Sequence, residues 1–173
     1  MLKQLITLLL ITSACLFTSC TPTSTQEISI LPTPVSMIRQ QGAFVLRDGV
    51  AIGVSDSALL PAAGYLQEVL GRAVTSSVEV VGTENRTAIR LQLMNGCGKP
   101  NSYKLHVAPD RIYVEAEDCS GIVSAISTIR QLLPPEIERP GAKRTFSIPA
   151  VQIEDAPRFE WRGFMLDASR HFW

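Results

Sequence analysis

The chain has 173 residues, which is enough for one domain with a hydrophobic core. Its 16 Lys and Arg residues balance its 16 Asp and Glu residues, so the formal net charge is zero. This balance gives no sign of the basic surface that nucleic acid requires or of an acidic tail, and no nucleic acid partner is expected.

The N-terminal residues 1–20 read MLKQLITLLLITSACLFTSC, in which Lys3 precedes an apolar stretch from Leu5 to Phe17. This stretch is shorter than the roughly 20 residues of a membrane-spanning helix and has the length of a signal-peptide core. Small residues then lead into Cys20, and this end resembles the lipobox of bacterial lipoprotein signals, although Phe stands where Leu is usual. The resemblance implies that Cys20 is lipidated and becomes the mature N-terminus. An ordinary secretory signal with a chance Cys is the alternative.

The polar stretch 21–26 has no helical or strand period and is typical of a flexible tether. A lipoprotein of this kind is exported and attached to the membrane at the bacterial cell envelope, in the periplasm or on the outer-membrane surface. Cys97 and Cys119 remain in the exported part, where the oxidising conditions allow them to pair. Their spacing is unlike that of zinc ligands, so no metal site is predicted.

The first half of the exported part predicts three short strands and one helix. The strand-like runs are Ile28–Leu31, Ala43–Leu46 and Val50–Val54. In the stretch that follows, apolar residues recur at helical spacing at positions 59, 66, 69, 70 and 73, and Asp56 or Ser57 can cap the start.

Four more strand-like runs follow at Val78–Val81, Ala88–Leu93, Tyr103–Val107 and Ile112–Ala116. A tight turn joins the last two, which predicts a hairpin. We expect the last three runs to form an up-down-up meander, with Cys97 and Cys119 just past the same end. One strand would then separate the two outer strands, so the loop carrying Cys97 must fold over for a disulfide to form.

A second helix is predicted for SGIVSAISTIRQLLPP, where Pro134 and Pro135 stop the helix, and a short strand follows around Phe146–Ile148. These elements indicate an α+β fold over residues 27–153: an antiparallel sheet with two helices packed on one face. A doubly wound fold is less favoured, because strands without intervening helices dominate the middle of the chain.

Composition and spacing reveal no active site up to residue 153. His106 lies in an alternating strand without a partner at metal-ligand spacing, so we interpret it as a structural or surface residue. Taken alone, this part would be a packing or binding module.

The C-terminal stretch RGFMLDASRHFW differs from the rest of the chain. Gly163–Ala168 is a strand candidate, and Asp167, Arg170 and His171 stand at its carboxyl end. In a (β/α)8 barrel that end of a strand faces the substrate, and a guanidinium suits ligands rich in hydroxyl groups. The alternative is a surface Arg–Asp pair on a frayed terminus.

The segment IEDAPRFEWRGFMLDASRHF resembles the start of the catalytic barrel of family 20 glycoside hydrolases, the β-N-acetylhexosaminidases. Upstream motifs agree in the same order: ILPTPVSM, GAF, the hairpin of YKLHV and DRIYVEA, and SGIVSAISTIRQLLP. These are similar to the non-catalytic N-terminal domain of the bacterial enzymes. One departure lies near Ser124, where an aromatic residue is usual, and it concerns packing rather than chemistry.

The resemblance implies a role for each part of the chain. Residues 27–153 would be the N-terminal α+β domain, and residues 154–173 the incomplete start of the barrel. Arg170 would hydrogen-bond hydroxyl groups of a terminal N-acetylhexosamine, and Asp167 and His171 would support its position. We therefore expect glycans that contain N-acetylhexosamine as the partners.

The family hydrolyses terminal GlcNAc or GalNAc with retention, by a substrate-assisted mechanism in which the 2-acetamido group attacks the anomeric carbon in place of the usual second carboxylate. An adjacent Asp-Glu pair supplies the orienting carboxylate and the general acid/base. That pair belongs to a later barrel strand and is absent from this sequence. The chain is thus expected to be the N-terminal portion of the enzyme, inactive alone, with no catalytic residue and no cofactor. A non-catalytic, lipid-anchored envelope module, or a truncated pseudogene product, is the alternative.

Overall fold

The computed structural model describes residues 27–74, 77–82, 87–94, 96, 98–139, 145–159, 161 and 163–166. Within these residues seven strands form one sheet: β1 (Ser36–Val45), β2 (Ala51–Val54), β3 (Glu79–Gly82), β4 (Ile89–Leu93), β5 (Tyr103–Ala108), β6 (Arg111–Ala116) and β7 (Ser147–Asp155). Their order across the sheet is β1-β7-β5-β6-β4-β2-β3. Two α-helices, α1 (Leu60–Gly71) and α2 (Cys119–Leu132), are accompanied by short 3-10 helices at Ser57–Leu59 and Pro135–Glu138.

An aspartate caps the start of each of the two helical segments. Asp56 Oδ1 accepts a hydrogen bond from the backbone N–H of Ala58 (2.7 Å), at the 3-10 turn before α1. Asp118 Oδ1 accepts one from Gly121 N–H (2.8 Å) at the start of α2. Such caps satisfy backbone donors that the first helical turn leaves free. Neither of the two described α-helices has the length and hydropathy of a membrane span.

The two helices pack on the same face of the sheet and enclose one hydrophobic core. β5 shows how the sequence produces this arrangement: Tyr103, Leu105 and Val107 are buried, whereas Lys104 and His106 between them are exposed. Successive side chains of a strand point to opposite faces, so the alternation in YKLHV places one face against the helices and the other in solvent. The predicted α+β fold with two helices on one face is confirmed.

The predicted antiparallel sheet is wrong in detail, because the sheet is mixed. β1, β7, β5 and β6 pair antiparallel, whereas β6, β4, β2 and β3 run parallel to one another. Parallel neighbours need a crossover connection between them, and α1 supplies it between β2 and β3. The helix that the sequence predicts after residue 54 is thus the crossover of a β-α-β unit.

The predicted meander is also wrong. β4 pairs with β6 and not with β5, so the two strands expected to lie apart are direct neighbours, with Leu93 opposite Ala116. β5 lies on the other side of β6, between β6 and β7. Only the directions of the three strands and the hairpin of β5 and β6 follow the prediction.

The terminal strands differ from their predicted bounds. No strand forms at Ile28–Leu31; there Gln131 Oε1 accepts a hydrogen bond from Leu31 N–H (2.9 Å), and Gln131 Nε2 donates one to Leu31 O (3.0 Å). β1 begins at Ser36, and its register with β7 shifts between Arg39 and Ala43. Gly42 lies in this bulge with φ of 92°, where a side chain would be strained and where a Cβ would come within 2.9 Å of Pro109 Cγ.

Candidate functional site

Most of the predicted site residues lie outside the described residues. This applies to Arg170, to its expected supports Asp167 and His171, to the lipidation candidate Cys20, and to Cys97. Their roles therefore stay predictions. Cys119 is the predicted site residue that the structure describes.

Cys119 opens α2 with a partly buried side chain, and its Sγ lies 3.6 Å from Ala58 O. The chain segments that lead to Cys97 and Cys119 are in contact. Met94 N–H donates to Ala116 O (2.8 Å), and Gly98 N–H donates to Glu117 Oε2 (2.8 Å). Because β4 and β6 are direct neighbours, Cys97 and Cys119 follow adjacent strands, whereas the expected meander placed a third strand between them. The disulfide itself stays a prediction.

A cavity of about 370 Å³ lies where β7 ends and the chain continues toward the predicted sugar-binding residues. Its polar lining comes from Thr33, Asn101, Ser124, Asp155 and Arg158, and Phe159 closes one side. Asp155 is half-buried, and its Oδ1 accepts a hydrogen bond from Val35 N–H (3.2 Å). The carboxylate therefore fastens the chain before β1 to the end of β7.

Tyr103 forms the inner wall of this cavity and stands opposite Asp155 in the register of β5 and β7. Its hydroxyl lies 2.7 Å from Thr128 Oγ1 on α2. Because the single proton of Thr128 is donated to Ser124 O (3.3 Å), Tyr103 is the donor between them. Burial raises the pKa of Tyr103, so the phenol stays protonated and its role is structural.

The chemistry of this cavity falls short of glycoside hydrolysis. Among the described residues that line it, Asp155 is the one carboxylate, and a backbone N–H already engages it. Hydrolysis of a glycosidic bond requires an acid on one side of the sugar and a second negative or nucleophilic group on the other. In the described part of the chain no group of three or more His, Cys, Asp or Glu residues could hold a metal ion.

Beyond β7 the chain exposes a series of large apolar side chains. Phe159, Trp161, Phe164, Met165 and Leu166 are all exposed, Met165 by 91%. The predicted strand Gly163–Ala168 is not formed over its described residues 163–166, because a strand requires a neighbour for its backbone groups. Exposed apolar surface of this kind marks contact with another surface.

The face of the sheet opposite the helices carries a second polar cluster, which was not predicted from the sequence. Tyr113 lies at its centre, with its hydroxyl donating to Gln92 Oε1 (2.7 Å) and the Arg90 guanidinium carbon 6.0 Å from its ring centroid. Partial burial, followed by the nearby Glu115, raises the pKa of Tyr113. The alternation in RIYVEA predicts that Tyr113 lies on the face opposite Ile112 and Val114, so the sequence alone could have placed this residue on the solvent side.

Residues 27–156 match the family model described as glycosyl hydrolase family 20, domain 2. The chain is 32% identical over 151 residues to a beta-N-acetylhexosaminidase of Cellulomonas fimi, covering 84% of this chain and 29% of that protein. It is 30% identical to a beta-hexosaminidase of Porphyromonas gingivalis, covering 87% of this chain and 20% of that protein.

A solved structure shows that the fold is similar as well. The fold aligns with a mutant Streptomyces plicatus beta-hexosaminidase in complex with its product, GlcNAc, with a TM-score of 0.75 and 32% identity. The alignment covers 83% of this chain and 29% of that chain. The present chain thus spans less than a third of these relatives, at the level of one of their domains.

Proposed function

This chain belongs to glycosyl hydrolase family 20, and on that basis we propose that it is the N-terminal portion of a β-N-acetylhexosaminidase that releases terminal GlcNAc or GalNAc from the non-reducing ends of glycans. One observation carries the proposal: residues 27–156 match domain 2 of the family, and the relatives that share this region are hexosaminidases. The fold shared with the GlcNAc-bound Streptomyces plicatus enzyme supports the same substrate class.

In this proposal the described domain is a non-catalytic support for a catalytic domain encoded further along the chain. The cavity beside Asp155 supports this division, since it offers one carboxylate, which a backbone N–H engages. The exposed apolar residues from Phe159 to Leu166 support it as well, because such side chains require a covering surface.

The proposed chemistry is substrate-assisted hydrolysis with retention. The 2-acetamido group of the sugar attacks the anomeric carbon, while an Asp-Glu pair outside this sequence orients that group and protonates the leaving oxygen. Arg170 holds the hydroxyl groups of the terminal sugar, and Asp167 and His171 hold Arg170. A planar guanidinium suits this task because it donates several hydrogen bonds at fixed angles.

We further propose that the protein is exported and attached to the bacterial cell envelope through lipid on Cys20. The apolar core of residues 5–17, the small residues before Cys20 and the polar stretch 21–26 support this location.

Two assays test the proposed function. The 173-residue chain should release no p-nitrophenol from the β-N-acetylglucosaminide or the β-N-acetylgalactosaminide above the blank. The product of a reading frame that continues past codon 173 should hydrolyse at least one of these two substrates. Turnover by the short chain that disappears in Asp167→Ala would overturn the assignment of roles. A stop codon directly after Trp173, or a full-length product without activity, would favour the non-catalytic module.

A further inference from the structure

The solvent side of the sheet is a largely polar surface, which we call the open face. Its central row crosses five neighbouring strands, and each residue stands opposite the next in the strand register: Ile38, Gln152, His106, Tyr113 and Arg90. A second row lies beside it, formed by Ser36, Glu154, Lys104, Glu115 and Gln92. With strands about 4.8 Å apart, the central row is roughly 19 Å long, which is enough for several sugar rings.

The charges on the open face largely neutralise one another. Lys104 Nζ lies 3.5 Å from Glu154 Oε1, and Arg111 Nη2 lies 2.8 Å from Asp110 Oδ2. A surface with internally paired charges has no field that attracts polyanions or anionic membranes. The ligand that complements it is uncharged and polar.

The ring of Tyr113 is held in place at the middle of the central row. Its hydroxyl donates to Gln92 Oε1, and the Arg90 guanidinium carbon lies over one face of the ring, 6.0 Å from its centroid. A tyrosine that is already fixed loses little conformational entropy on binding, and it combines an apolar ring with a polar tip. Such a ring suits a sugar, whose C–H groups form an apolar face and whose hydroxyl groups lie around the edge.

Planar hydrogen-bonding groups surround the ring. The amides of Gln152 and Gln92 each contain a donor and an acceptor, Glu115 accepts, and Arg90 donates. His106 is exposed, and its Nε2 lies 3.3 Å from Gln40 Oε1 on β1. This mixture of donors and acceptors matches hydroxyl and acetamido groups, which also combine both functions.

From these observations we infer that the open face binds an uncharged glycan chain built of N-acetylhexosamine units, with Tyr113 stacking on one sugar ring. The identity of the sugar rests on the proposed function; the site itself does not, because it shares no residue with Arg170, Asp167 or His171. The open face would keep the polymer beside the enzyme between cleavage events, as a binding surface separate from catalysis.

The binding test uses the whole 173-residue chain in mild detergent and β-1,4-linked N-acetylglucosamine hexamer as the probe. We expect a dissociation constant on the order of 0.1–1 mM, as suits a shallow surface with one aromatic anchor. Amide chemical-shift changes should fall on β4, β5, β6 and β7 rather than on α2. Because the ligand is uncharged, the affinity should be the same at about 0.05 and 0.5 M salt.

Three variants and one matched control separate the contribution of the ring from that of its surroundings. Tyr113→Ala should weaken binding about 3- to 10-fold, whereas Tyr113→Phe, which keeps the ring, should retain most of it. Arg90→Ala should also weaken binding, and Arg139→Ala, an exposed arginine beyond α2, is its matched control and should bind like the unaltered chain. Melting temperatures of all variants establish that the fold is intact.

The inference is overturned if the hexamer causes no shift changes, or if the changes fall outside the open face. Equal binding by folded Tyr113→Ala, strong salt dependence, or dimerisation through the open face in place of glycan binding would also overturn it. Hydrolysis by the full-length enzyme is measured separately with the small p-nitrophenyl substrates. A lack of glycan binding at the open face would therefore not contradict the proposed function. Likewise, a lack of hydrolysis by the full-length enzyme would not contradict glycan binding at the open face.

Discussion

The hydroxyl of Tyr103 on β5 lies 2.7 Å from Thr128 Oγ1 on α2, and both side chains are 4% exposed. This hydrogen bond joins the sheet to the longer helix inside the core. Thr128 Oγ1 in turn donates a hydrogen bond to Ser124 O, so the two hydroxyls form a hydrogen-bonded chain that ends on the helix backbone.

Removal of the two hydroxyls should have unequal effects on stability. Tyr103→Phe removes the donor and should lower the free energy of unfolding by about 1 kcal/mol, because Thr128 keeps its bond to Ser124 O. Thr128→Val leaves the phenol without its acceptor and should cost about 1–3 kcal/mol. Urea unfolding measures both, with Thr128→Ser as the control that keeps the hydroxyl. A smaller loss in Thr128→Val than in Tyr103→Phe would contradict this arrangement.

Glu138 joins three elements at the end of the helix layer. Its Oε1 accepts from Arg130 Nε and its Oε2 from Arg72 Nη1, each at 2.6 Å, and Arg130 is the main reason that the pKa of Glu138 lies below its ordinary value. A lowered pKa in the folded state means that the stabilisation is present above the unfolded pKa of about 4.3 and is lost as pH falls through the folded pKa.

Glu138→Gln should therefore lower the melting temperature at pH 7, and this difference should shrink toward zero as the pH approaches 3. The effect should be modest and weaker in high salt, because the three side chains are 37–45% exposed. Glu136→Gln, on the same short 3-10 helix, is the matched control. A melting difference for Glu138→Gln that grows on acidification would show that the sign is wrong.

We predict that Cys97 and Cys119 form a disulfide under oxidising conditions. The contact between Gly98 N–H and Glu117 Oε2 places the neighbouring segments together, and bridged Cα atoms lie within about 7 Å of each other. Closing a loop of this length typically adds about 3 kcal/mol. Thiol titration of the oxidised, denatured, unreduced chain should find neither thiol free, and Cys119→Ser should expose the thiol of Cys97. The 173-residue chain also contains Cys15 and Cys20, so four free thiols, rather than the two that remain when the bond forms, would reject it.

Membrane attachment should depend on Cys20. Lipoproteins carry several acyl chains, which together give stable attachment where one alone is marginal. Cys20→Ala should shift the protein from the membrane fraction to the soluble fraction on cell fractionation, and Cys15→Ala, within the same N-terminal stretch, should not. An unaltered protein that is already in the soluble fraction would exclude the anchor.

Arg170 should position the sugar in the full-length enzyme. Arg170→Ala should raise KM and lower kcat, because hydrogen bonds to the ring hydroxyls orient the sugar as well as hold it. We expect a loss of about 100-fold or more in kcat/KM with the p-nitrophenyl substrate, as suits a lost charged hydrogen-bonding group and a misplaced substrate. Arg158→Ala, which lines the cavity near Asp155, is the control. Unchanged kinetics in Arg170→Ala would remove Arg170 from the site.

The sequence by itself determined the two helices, the faces of β5 and β6, and the family. Helical spacing of apolar residues placed both α-helices, and the alternation in YKLHV and RIYVEA placed the faces of β5 and β6, because these periods follow directly from backbone geometry. The upstream motifs that resemble family 20, from ILPTPVSM to SGIVSAISTIRQLLP, lie in the region that matches its domain 2.

Apart from the hairpin of β5 and β6, only the tertiary structure decided which strands are neighbours. Alternation fixes the two faces of a strand, but the backbone N–H and C=O groups at its edges are the same in every strand and can pair with any partner. The choice of β6 over β5 as the neighbour of β4 depends on packing of the whole core, and so does the parallel half of the sheet. The row from Ile38 to Arg90 exists for the same reason, since its five residues, which come from five strands, meet only when those strands lie side by side.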